Sequence, residues 1–171
     1  MNAILEFTKH LEANQHALKA PLVIDSQIHR TQVAGDKRHQ TSGWYVLYQH
    51  GDLLVGVFGN WRTRQSETWC SKNLNTLTDQ ERKNYADSVA KAKELRLTEE
   101  AKLHAQAKAK AQKLLAIATP AAMQNKYVAQ KGIRPHGIKQ FSKTMTLLVP
   151  LFEAQSDSTD FEIVNLQFIS P

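Results

Sequence analysis

The sequence predicts an α+β protein: a small antiparallel sheet with a flanking helix, a long helical connector, and a second small lobe with a short β-hairpin. Three observations predict it. SGWYVLYQH and LLVGVFG are rich in aromatic and β-branched residues and flank Gly51–Asp52, a hairpin signal. From Thr78 to about Ala118 there is neither Gly nor Pro, and Ala, Lys, Glu, Gln and Leu dominate. Near the end, TLLVPLF and EIVNLQFI read as two further strands around the polar loop QSDSTD.

The elements follow in order. ILEFTKHL spaces Ile4, Leu5, Phe7, Thr8 and Leu11 as one helical face, which predicts a helix over roughly 2–15, ended before Pro21. PLVIDSQIHRTQV offers two short extended segments, and Gly35–Asp36 marks a turn. SETWCS supplies a third strand after the turn near Gly59 and Asn60, for a sheet of three to five strands over about 27–71. Thr78 with Glu81 forms a capping box. The helix behind it has a thin apolar face of Tyr85, Val89, Ala92, Leu103 and Leu114, support expected from pairs such as Asp87 with Lys91, and room for a break near Leu97 and Thr98. Pro120 is expected to open a short helix that closes at Gly132, with IRPHGIKQF a loop behind it. The implied organisation is a head at 1–77, a connector at 78–118 and a basic helix-loop with strands at 119–171. A strand that finishes beside Pro171 suggests a sheet that continues further.

Composition narrows the function classes. The chain has 171 residues, 42% of them hydrophobic, and ordinary globular charge content. No apolar run approaches the roughly 18 residues that span a bilayer, and MNAILEFTKHLEANQ lacks the pattern of a secretory signal. Cys70 is the one cysteine, so a disulfide framework is excluded and a cytoplasmic home is expected. Net charge is +6, and it is uneven: residues 119–145 carry five Lys/Arg and no acid, whereas 146–171 carry four acids and no base. Such a balance suits a polyanion.

Catalytic patterns are missing. One Cys and seven scattered His offer no zinc-ligand spacing. Cys70 beside Trp69 and Lys72 reads as a small core residue before it reads as a nucleophile. There is no phosphate-cradling glycine motif, and Asp157, Asp160 and Glu162 sit on a polar loop without the support a two-metal site requires. Cofactors are therefore expected to be none in this chain.

Binding patterns are stronger. GNWRTRQSETWCSK puts Trp61, Arg62, Arg64, Trp69 and Lys72 close together, a pairing of ring faces and cations that suits single-stranded nucleic acid. The alternative is that both Trp are core anchors with arginines on the rim. HRTQVAGDKRHQ brings Arg30, Lys37 and Arg38 around a turn. NKYVAQKGIRPHGIKQFSK carries Lys126, Lys131, Arg134, His136, Lys139 and Lys143 with no neutralising acid.

These residues also carry a family resemblance. GWYVLYQHGDLLVGVFGNWRTRQSETWCSK resembles the head of the Toprim-type DNA primases and primase-helicases of bacterial phages, plasmids and integrated mobile elements, in which a GWY strand, spaced glycines, an FG-x-WR turn and a later Trp recur. YVAQKGIRPHGIKQ, TLLVPL and VNLQFISP are similar to that family's connector toward the Toprim region, so the resemblance covers roughly residues 25–171. It implies DNA replication of a mobile element. The family's catalytic Glu and DxD pair, which would hold magnesium, belong to a Toprim core outside this sequence, so the chain itself is expected to be a non-catalytic, metal-free template-binding piece. Expected partners are single-stranded DNA and a primase core or helicase. The competing expectation is a stand-alone mobile-element protein, an inhibitor of a host-defence nuclease or a replication adaptor, that binds another protein through its long helix or its acidic end at 153–162.

Overall fold

The computed structural model describes residues 2–154 and 161–171; the loop QSDSTD, with Asp157 and Asp160, lies outside the described residues. The architecture is α+β, and the chain divides into two compact units, Met1–Thr98 and Glu99–Pro171.

The first unit is built on an antiparallel sheet in sequential order: β1 (His16–Ala17), β2 (His29–Val33), β3 (Gly43–His50), β4 (Leu53–Asn60) and β5 (Ser66–Cys70). The predicted hairpin is its centre, with Trp44 opposite Gly59 and Tyr48 opposite Val55. Gly51 takes a left-handed φ of 59° in the tight turn between them. Both central strands are buried almost throughout, because both faces of the sheet are covered. Helix α1 (Ala3–Ala13) seats Phe7 and Leu11 on Tyr45, Leu47, Leu54 and Phe58. The start of helix α2 (Asp79–Ile117) lays Tyr85, Val89, Ala92 and Leu95 over Trp44, Val46, Tyr48, Val55 and Val57. Gly56 makes the first contact possible: a Cβ there would stand 2.4 Å from Phe7 Cε2. Cys70 packs against the α2-side core, as a small core residue does. The extended segment expected just after Pro21 does not form a strand; residues 21–24 have no regular structure.

The capping box begins α2 as read: Thr78 Oγ1 accepts from the Glu81 N–H at 3.3 Å, and Glu81 Oε2 accepts from the Thr78 N–H at 2.9 Å. The helix serves both units. Ala92 is buried in the first, Ala111 in the second with Leu114 and Leu115 beside it, and Leu97 and Leu103 between them are exposed. No ion pair joins Asp87 to Lys91; the helix pairs instead through Lys72–Glu81 and Lys108–Glu162.

The second unit carries a four-stranded antiparallel sheet in the order β6 (Thr119–Pro120), β7 (Lys139–Gln140), β8 (Leu147–Ala154), β9 (Phe161–Ile169). Leu148 and Leu166 face the end of α2, and Leu147 faces Val128 of α3 (Lys126–Lys131). The expected start of that helix at Pro120 is corrected. Pro120 lies in an edge strand, where its missing N–H leaves no ladder bond unmade, and α3 starts only after Asn125 caps it by accepting from the Tyr127 N–H at 3.1 Å. Gly132 closes α3 in the left-handed region, as expected. Among the described residues no helix is long and apolar enough to cross a membrane.

Candidate nucleic-acid interface

Antiparallel order sends the β2–β3 loop and the β4–β5 loop to the same end of the first sheet. The first loop carries Lys37 and Arg38 and the second Arg62 and Arg64, while Arg30 pairs with Trp44 one step inside that end. The six residues singled out in the head (Arg30, Lys37, Arg38, Trp61, Arg62 and Arg64) therefore come together. Lys37, Arg38 and Arg64 are exposed there.

Two of the six have structural duties. Arg62 donates from Nη1 to the Gly35 carbonyl at 3.1 Å and from Nη2 to the Ala34 carbonyl at 2.9 Å. Its Nη1 also lies 3.7 Å from Asp36 Oδ1. Asp36 in turn accepts through Oδ2 from the Val33 N–H at 3.0 Å and the Ser42 N–H at 2.9 Å, closing the loop from both ends. These bonds, that to Ser42 first, hold its carboxyl below the usual range. Arg62 is thus a fork that fixes the loop presenting Lys37 and Arg38. Trp61 is half-buried against Trp44, with ring centroids 5.9 Å apart, and the Arg30 guanidinium lies 4.6 Å from its ring. Its indole N–H is buried without a partner. Trp61 is therefore engaged by Trp44 and by Arg30 and remains half-exposed. Trp69 belongs to the other face, 5.1 Å from Phe7.

On the α1 face of the same end a pocket of about 320 Å³ opens between the end of α1, β1 and the β4–β5 loop. His16 lines it, almost wholly buried, with Nδ1 paired to Thr31 Oγ1 at 2.8 Å. Burial pushes its imidazole below the ordinary value, against the smaller pull of Glu67. Sequence reasoning passed over His16, whose partner Thr31 is distant in sequence, and read Asp36 only as part of a turn.

In the second unit Lys126, Lys131, Arg134 and His136 are exposed. Lys131 lies 5.9 Å from the Tyr127 ring. His136 (φ 41°) and Gly137 (φ 83°) form a turn closed by the Ile138 N–H to the Pro135 carbonyl at 2.8 Å, which puts the imidazole at a loop tip. Lys139 differs: its Nζ donates to the Leu115 carbonyl at 2.8 Å and serves the fold. The segment is anchored by Asn125, fully buried, whose Nδ2 donates to Gln140 Oε1 at 2.9 Å and to the Met145 carbonyl at 2.6 Å. Asn125 was not legible as a site residue, because the helix expected from Pro120 placed it inside the helix and not at its cap.

Among the described residues no group of three or more His, Cys, Asp or Glu is placed to hold a metal ion. No family model, curated protein or solved structure matches this chain.

Proposed function

We propose that this chain is a non-catalytic module that binds single-stranded DNA, the template-gripping piece of a mobile-element DNA primase whose chemistry resides in a Toprim core. One observation carries the binding reading. The fold gathers Arg30, Lys37, Arg38, Arg62 and Arg64 at one sheet end, and the one acid tied into those loops, Asp36, is buried beneath them and already bonded. Such a rim attracts phosphates without sequence preference. The exposed Lys126, Lys131, Arg134 and His136 form a second cationic stretch within the other unit. The primase assignment rests on the sequence resemblance alone.

Titration of a labelled oligonucleotide at several salt concentrations tests the binding. Six neutralised phosphates give a log–log slope of about −4 for a single strand; binding that is absent, or indifferent to salt, rejects the reading. A second reading, a protein adaptor, is favoured by the exposed Leu151, Phe152, Phe161 and Phe168 of β8 and β9. Retention of a defined host protein after nuclease treatment, with no oligonucleotide binding, selects it.

A further inference from the structure

We infer that the pocket on the α1 face of the head receives one base of the bound strand, and that it favours bases with an exocyclic amine. The inference rests on the single-strand reading above and adds a contact to the base itself.

The pocket is placed for it. Arg62 belongs to both the pocket lining and the cationic loop end, so a strand whose phosphates follow Lys37, Arg38 and Arg64 passes the pocket mouth. Its volume of about 320 Å³ is at the small end of ligand sites, which run from about 300 to 1,000 Å³. That suits one nucleoside.

Its lining suits a base and not a phosphate. The guanidinium of Arg62 is committed to the Ala34 and Gly35 carbonyls, and the Glu67 carboxylate repels an anion. The remaining polar groups include the Gln65 amide, which both donates and accepts as the edges of bases require, and the amides of Asn14 and Asn60, which already bond the His10 carbonyl and the Arg62 N–H and have their other sites left for a ligand. His16, held by Thr31, places its imidazole in a wall that Phe58 and Val33 also line, and meets the Phe58 ring edge-on at 5.3 Å. A carboxylate accepts from the exocyclic amine of cytosine, whereas on thymine the one ring donor, N3–H, lies between two carbonyl oxygens that repel it. Glu67 therefore sets the preference. Backbone strain borders the site as well: Gln15 (φ 63°) and Arg64 (φ 61°) are left-handed without being glycine, one in each segment flanking the pocket.

The test compares labelled oligo-dC and oligo-dT of equal length, an oligo-dC with abasic positions, and free deoxycytidine monophosphate as competitor. The expected result is oligo-dC bound about five- to tenfold more tightly than oligo-dT, an abasic strand as weak as oligo-dT, and one salt slope for all three. Glu67→Gln removes the preference and leaves the slope and the melting temperature unchanged; Gln65→Ala weakens oligo-dC alone. Equal binding of oligo-dC, oligo-dT and the abasic strand overturns the base pocket while leaving the single-strand reading intact. Absence of binding to every strand overturns both. Competition by the free nucleotide as effective as that by oligo-dC overturns the strand-borne ligand.

Discussion

Arg62→Ala separates a staple from a phosphate contact. In the structure the guanidinium makes two bonds to loop carbonyls, at 3.1 and 2.9 Å, and lies 3.7 Å from a buried oxygen of Asp36 that no hydrogen bond satisfies. Hydrogen bonds to charged groups contribute about 1.5–3 kcal/mol each when fully shielded. The Arg62 side chain is 45% exposed, which reduces each to about 0.5–1 kcal/mol and the pair to about 1–2 kcal/mol. For a unit of this size 1 kcal/mol corresponds to about 4–8 °C, so the variant should melt about 4–16 °C lower by circular dichroism. Lys37 and Arg38 then ride on a loosened loop, and oligonucleotide affinity falls while the salt slope stays where it was. Arg62→Lys keeps the charge but loses the fork, and should melt nearly as low. An Arg62→Ala protein with wild-type melting and a slope reduced by about 0.7 would refute the staple and make Arg62 a direct phosphate contact.

Four further outcomes are expected. Lys37→Ala with Arg38→Ala lowers the magnitude of the single-strand salt slope by about 1.4, at a stability cost within about 0.5 kcal/mol, because both side chains are exposed. Asn125→Ala removes a cap and leaves the Met145 carbonyl and Gln140 without their partner; it costs about 2–4 kcal/mol in denaturant unfolding. Gly56→Ala drives a methyl into Phe7 and costs about 1–3 kcal/mol, and the same change beside Phe7→Leu costs less, a coupling that a double-mutant cycle measures. For pH, two directions add. Glu81, held at about 2 by Lys72 first and Thr78 next, contributes stability that is complete above the ordinary carboxylate value and is lost as pH falls toward 2. His16, whose folded value is depressed by burial, binds its proton more readily when unfolded, so stability also declines as pH falls below 6.5. Thermal melts from pH 7 down to 3 should show the earlier decline vanish in His16→Gln and the later one shrink in Glu81→Gln.

What the sequence made legible follows from locality. The β3–β4 hairpin, the capping box and the C-cap at Gly132 are written in neighbouring residues, and each formed as read. Strands β1, β6 and β7, of two residues each, are too short for any periodicity to register, which is why the second lobe's sheet looked like a bare hairpin. Pro120 misled for the same reason: its fixed φ suits a helix start and an edge strand alike, and the pairing with Lys139 decided between them. The basic residues of the head were readable as a group, because each lies beside a turn. Their division of labour was not. Arg62 is spoken for by carbonyls 27 and 28 residues away, and Trp61 by Trp44 across the sheet. The pocket bordered by His16 joins the end of α1 to the β4–β5 loop, a juxtaposition only the folded sheet creates.

Equilibrium binding of a labelled single strand between about 50 and 200 mM salt bears most directly on the central claim, with the intact chain set against one in which Lys37, Arg38 and Arg64 are all alanine. The expected result is clear binding with a slope near −4 for the intact chain and a slope about two units shallower for the triple variant. A slope near zero, or one indifferent to the three substitutions, would contradict it.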